Sequence, residues 1–221
     1  MQLERLLTSD HLSTGRRDVF SSLGLFVVGC LLYGLGMGAW RSWTMGVYVA
    51  IKLPFCLLAT LGINGLFSVI IAAFTGSGLG MRETLAMQLR ACSVSAVVLG
   101  GFAPVGIFLA RVLPSPPDSP VAHIHAGLMF FHTLMIAFAG VIGLASLRRI
   151  LLRHASGPGP ARWTMLAWLT GNFLAGSQVA WFLRPFFGSA YLPVEFLRED
   201  PFSSGFLESL LLAIPRLLKA F

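Results

Sequence analysis

Acidic side chains are scarce in this chain. It has nine Asp and Glu among 221 residues, and only 11% of its residues are charged. A soluble domain carries about 25%. None of the nine acids lies in the middle of an apolar stretch. That absence argues against a proton- or sodium-coupled carrier, which ordinarily needs a mid-membrane carboxylate. It leaves a passive pore open. Cysteine is scarce too. Cys30, Cys56 and Cys92 sit inside apolar stretches with no C-x-x-C spacing, and they read as small apolar residues. They predict neither a disulfide framework nor a zinc site. Hydrolytic and nucleotide-binding signatures are missing as well: Gly-x-Ser-x-Gly, His-Glu-x-x-His and the P-loop pattern do not occur. No catalytic residue and no metal site is expected, and the chain is read as a non-enzyme.

What the chain has in abundance is apolar length. Hydrophobic residues make up 56% of it and the mean hydropathy is +0.78. Five apolar stretches cover residues 21–40, 53–74, 91–110, 122–147 and 163–183. Each is about 20 residues or longer, enough for a helix to cross ~30 Å of hydrocarbon. The expected fold class is all-α: a polytopic transmembrane helical bundle of about five spans, with interfacial amphipathic helices at both ends. The organisation expected is an N-terminal interfacial segment over 1–19, a bundle over 20–183, and an outer-face cap with a C-terminal interfacial or re-entrant helix over 184–221. The N-terminal segment holds Glu4, Asp10 and Asp18, too acidic for a signal n-region, so the first span is expected to persist as an anchor. Near the C-terminus, the segment from Phe202 to Ile214 is largely apolar but interrupted by Glu208 and ended by Pro215. That is short for a span, and a sixth crossing is the alternative.

The formal net charge is +7. The basic residues flank apolar stretches, which favours lipid headgroups and topology control over nucleic acid. With the N-terminus inside, nine basic residues fall on the inner side, including the cluster Arg148, Arg149, Arg153 and Arg162. Seven fall on the outer side if the C-terminal tail stays there: Arg41, Lys52, Arg111, Arg184, Arg198, Arg216 and Lys219. Asp118, Glu195, Glu199 and Asp200 also fall outside. This pattern predicts a cytoplasmic N-terminus.

Three groups of residues are candidates for function. His125 and His132 are seven apart, so they share a helix face and are the candidate cofactor-binding residues. Haem ligation across a bundle needs a histidine on a facing helix, which the sequence does not supply, so no cofactor is expected. A hydrogen bond to a neighbouring helix is the competing role for His132. Thr60, Asn64 and Ser68 are spaced by four in one stripe, and Asn172, Ser177 and Gln178 lie in the fifth stretch. Such polar groups face protein or a solvated path rather than lipid. The third group is the dense run after the fifth stretch: Trp181, Arg184, Phe186, Phe187, Tyr191, Glu195 and Arg198. It predicts an ordered cap, with Arg184 snorkelling or pairing with Glu195, Glu199 or Asp200. Structural rigidity and partner docking are the two readings of that cap. Small residues at intervals of four, such as Gly34 and Gly38 or Ala139 and Gly143, predict close helix approach.

Three segments carry a resemblance. They are Tyr33-Gly34-Leu35 with Lys52-Leu53-Pro54, then Phe131-His132 with Ala137 to Gly143, and Phe182-Leu183-Arg184-Pro185-Phe186-Phe187-Gly188-Ser189 running on to Leu192-Pro193-Val194-Glu195-Phe196. Together these resemble uncharacterised bacterial polytopic inner-membrane proteins similar to Yip1-type proteins. The resemblance implies several helical spans and a bacterial inner membrane, and it carries no catalytic residues. The function expected is a non-enzymatic integral membrane subunit that scaffolds, anchors or assembles with a larger complex. Its expected partners are the lipid bilayer and other membrane subunits or copies of itself, not nucleic acid. The alternatives are an oligomeric pore or passive transport component, and a histidine-ligated cofactor-binding membrane subunit.

Overall fold

The computed structural model describes residues 15–116, 122–188 and 192–209. Their regular structure is helical. Five long helices follow in order: α1 (Arg16–Gly38), α2 (Trp43–Phe74), α3 (Met81–Val112), α4 (Ala122–His154) and α5 (Pro158–Phe182). The first four are long and apolar enough to cross a membrane. α5 has 25 residues, but Thr164, Thr170, Asn172, Ser177 and Gln178 dilute its apolar character, and it is not one of those four. The sequence predicts about five spans; four helices are both long and apolar enough to cross a membrane, and α5 is long enough but less apolar. Leu3 to Leu7, Tyr191 and most of the C-terminal apolar run lie outside the described residues.

The helices outrun the apolar stretches that announce them. α2 has 32 residues, about 48 Å at 1.5 Å per residue. It starts ten residues before the expected position at 53, because Ser42 provides a cap: its hydroxyl accepts from Met45 N at 3.0 Å. Lys52, expected at the outer flank of the second span, therefore lies within the helix and is only 1% exposed. Pro54 also lies inside α2. α3 begins at Met81, where the Glu83 carboxylate accepts from Gly80 N at 2.9 Å.

Glycine decides how closely α1 can be approached. A β-carbon on Gly29 would collide with the Ala96 carbonyl of α3, and one on Gly34 would come within 2.7 Å of the Val49 oxygen of α2. One face of α1 thus seats α3 and another seats α2, the small-residue packing typical of membrane helices. α3 continues to α4, where Gly143 abuts Ser95 and the Ser95 hydroxyl donates to Ala139 O at 3.0 Å. α5 leans mainly on α2 and touches α4 only lightly.

Among the described residues, two large apolar clusters and a smaller one around Trp40 and Leu128 hold the bundle. One joins Phe26, Tyr33, Met45, Val49 and Leu99, with Phe186, Phe187 and Val194 packed against it. The other centres on Trp168 with Ala72, Met87, Leu147 and Ile150. Outward side chains are strongly apolar: Leu66, Phe67 and Phe74 on α2, Phe108 on α3, Phe130 and Val141 on α4 are all exposed. Water would not tolerate such a surface on a monomer, whereas hydrocarbon suits it. At one end, the α2–α3 turn bends through Gly76 and Gly78, both at positive φ. It is tied to the α4–α5 turn by Ser156 N donating to Ser77 O at 2.9 Å. The opposite end carries the cap.

Candidate functional site

The cap begins where α5 stops. Its first described parts, 184–188 and 192–196, pack against α1 and the N-terminal part of α2. Lys52 Nζ donates to Pro185 O at 2.9 Å and lies 4.8 Å from the centre of the Phe196 ring. Tyr48 meets the same ring edge-on at 5.3 Å. Arg41 Nη2 donates to Leu192 O at 3.2 Å. Phe186 and Phe187 join the α1–α2–α3 core. A basic side chain taken from water needs polar partners, and here a main-chain carbonyl and an aromatic face provide them.

The second part of the cap returns to α5. Gln178 Oε1 accepts from Phe206 N at 3.0 Å, and Trp181 Nε1 donates to Ser204 Oγ at 3.3 Å. Phe202 packs on Phe182 at 4.9 Å. Arg184 is fixed from both sides: Nε donates to Trp181 O at 2.9 Å, and the guanidinium lies 3.2 Å from the centre of the Trp181 ring. Burial first, and the nearby positive charge of Arg198 second, hold Arg184 below the ordinary guanidinium range. The sequence expects Arg184 either to snorkel or to pair with Glu195, Glu199 or Asp200. Among the described residues it stacks on Trp181, and with Arg198 it lines a cavity of about 170 Å³.

The histidines engage α1 and its C-terminal end rather than each other. Tyr33 OH lies 2.9 Å from His132 Nδ1 and also reaches His132 O at 3.4 Å. His132 is 2% exposed, and Phe131 and Phe187 flank its ring. His125 stacks on Trp40 with ring centres 5.7 Å apart. Tyr33 and Trp40 are seven apart, as are His132 and His125, so the two antiparallel segments meet in matched register. Where Tyr33 donates to Nδ1, the neutral ring carries its proton on Nε2, leaving no lone pair for a metal. Among the described residues, no group of three His, Cys, Asp or Glu side chains is placed to hold a metal ion.

The polar stripe of α2 faces α5. Thr60, Asn64 and Ser68 are all buried. Asn64 Nδ2 donates to Trp168 O at 3.3 Å, and Trp168 Nε1 donates back to Ser68 O at 3.1 Å. Asn172 Nδ2 also bonds Trp168 O, at 2.9 Å. Gly171 and Gly176 supply the room, against Asn64 and Thr60 respectively. Gln178 is separate from this network and belongs to the cap. Sequence reasoning missed Thr84 and Gln88 on α3, both buried. Gln88 makes no hydrogen bond through either amide atom, and neither the Thr84 nor the Ser68 hydroxyl has a partner among the described residues. Their spacing of four on α3 is the signal that was there to be read.

No protein-family model matches this chain, and neither a curated protein nor a solved structure is significantly similar to it.

Proposed function

We propose that this chain is a non-enzymatic integral membrane subunit that anchors or scaffolds a larger membrane complex, with α5 as its contact helix. The observation carrying this reading is the uneven burial of α5. The helix is as long as a span, yet it buries only Ala161, Thr164 and Trp168. Its outward stripe of Trp163, Leu166, Thr170 and Phe173 is exposed, following helical spacing. The stripe is mostly apolar and aromatic, its one hydroxyl, on Thr170, donating within the helix to Leu166 O at 3.0 Å. On the one helix of the five that falls short of spanning apolarity and buries least, such a face is offered to a protein neighbour. On this reading α5 is a fifth crossing, sheltered by that neighbour. The bilayer would be a bacterial inner membrane with the N-terminus cytoplasmic, as the basic cluster around Arg148 to Arg162 favours. The test is gentle extraction of the tagged protein from its native membrane, followed by sizing and mass spectrometry. A stoichiometric partner is expected. Elution as a lone monomer would count against the proposal.

A pore or passive transport component is the second reading. It draws on Ser68, Thr84 and Gln88, whose buried polar atoms lack partners among the described residues and would be satisfied by a hydrated path. Flux through reconstituted liposomes, altered by Asn64→Leu, supports it. Absence of flux removes it.

A further inference from the structure

The cleft at the cap end of α5 holds four charged side chains that do not neutralise one another. Arg184 and Arg198 line it together with Glu199, Asp200, Trp181 and Phe182. Among the described residues, no carboxylate lies at ion-pair distance from either guanidinium. At exposed positions such as 198–200 the attraction between opposite charges is modest, and other contacts hold Arg184 and Asp200 where they are. Arg184 is held by its bond to Trp181 O and by the indole face. Asp200 is held by the backbone: its φ is 51°, and Ser203 donates to its carbonyl oxygen through both N–H and hydroxyl, at 3.1 and 2.9 Å. The cleft therefore presents positive and negative groups side by side, each available to a third party.

We propose that this cleft binds a phosphate ester bearing a primary ammonium group, the headgroup chemistry of a zwitterionic phosphoethanolamine lipid. The guanidinium fork of arginine matches phosphate oxygens, donating to two of them at once. A primary ammonium offers three N–H donors to the carboxylates of Glu199 and Asp200. A purely anionic headgroup would meet those carboxylates unfavourably, and a quaternary ammonium could not donate to them. The indole of Trp181 favours the depth at which lipid headgroups lie. The cavity of about 170 Å³ has room for a phosphate group while the acyl chains stay in the bilayer.

The test is native mass spectrometry of the full-length protein after extraction into an equimolar mixture of phosphatidylethanolamine, phosphatidylglycerol and phosphatidylcholine. Phosphatidylethanolamine is expected to be retained about fivefold over either competitor, in line with charge-assisted pairing at a partly exposed site. The double variant Arg184→Gln with Arg198→Gln should abolish that retention. Glu199→Gln with Asp200→Asn, both exposed and outside the helices, should shift the preference toward phosphatidylglycerol while the melting temperature stays unchanged. Equal retention of all three lipids, or a preference unmoved by the Glu199 and Asp200 changes, overturns the proposal. Added glycerophosphoethanolamine separates the sources of the ligand. Retention that survives millimolar amounts marks a membrane lipid, as expected, whereas displacement marks a soluble ester.

Discussion

Lys52 Nζ donates to the carbonyl oxygen of Pro185 at 2.9 Å, across 133 positions of sequence. This bond joins the body of α2 to the first turn of the cap, and the Phe196 ring closes over the same ammonium. The cap is therefore clipped to the bundle by one buried cation, with Arg41 and Leu192 as a second, more exposed tie.

Replacing Lys52 with Met keeps most of the side-chain volume and removes the donor. The Pro185 carbonyl then loses its partner, at a cost of about 1–3 kcal/mol. Hydrogen exchange should rise across the described cap residues while α1 and α3 keep their protection. Uniform exchange across the chain in Lys52→Met would show that the clip holds more than the cap. Unchanged exchange would show that it holds nothing.

The glycines of α1 divide sharply by position. Gly29→Val should prevent α1 from seating on α3, because its side chain runs into the Ala96 carbonyl. Gly24 has nothing within 4 Å of its β-position, so Gly24→Ala should stay within about 1 kcal/mol of the parent. Thermal unfolding in detergent separates the two, and equal melting temperatures would refute the packing described for α1.

Tyr33 and His132 should show energetic coupling. A double-mutant cycle with Tyr33→Phe and His132→Phe is expected to give an interaction of about 1 kcal/mol. Additive single changes would mean that the 2.9 Å contact contributes nothing to stability.

Residues in the two turn regions report on topology. If α5 crosses the bilayer, cysteines introduced at Gly159 and at Ser203 lie on opposite sides. A membrane-impermeant thiol reagent applied to intact cells should then label only Ser203→Cys. The native cysteines Cys30 and Cys56 are buried and Cys92 is half-buried within α3, which keeps the background low. Labelling of both positions from one side would leave α5 on the surface of the membrane.

The bundle was legible in the sequence because hydrocarbon demands long apolar runs, and those runs appear. Their ends were not, because helices continue past the hydrocarbon wherever caps allow. Lys52 looked like a flank because charge marks flanks, and only the folded cap supplies the carbonyl that makes its burial tolerable. Arg82, Glu83 and Arg90 pushed the expected start of the third span to 91. Thr84 and Gln88 therefore fell outside the segment searched for intramembrane polar groups. The shared face of His125 and His132 was readable from their spacing. Their partners Tyr33 and Trp40 were not, since inter-helix register depends on packing that one strip of sequence does not encode. The aromatic and charged density after the fifth stretch did announce a cap, but Arg184 turned to Trp181 rather than to a carboxylate. Stacking on a ring already fixed by Ser204 restricts fewer long side chains than pairing with Glu199 or Asp200 does.

The claim that α5 is a contact helix can be tested with a photoreactive amino acid at Phe173 on its outward stripe, and at Phe67 on α2 as the lipid-facing control. Both side chains are exposed in the isolated chain, at 66% and 60%. Irradiation of native membranes should give a discrete protein adduct from position 173 and none from position 67. Lipid adducts alone from both positions would contradict the account, leaving α5 with no protein neighbour to explain its exposed stripe.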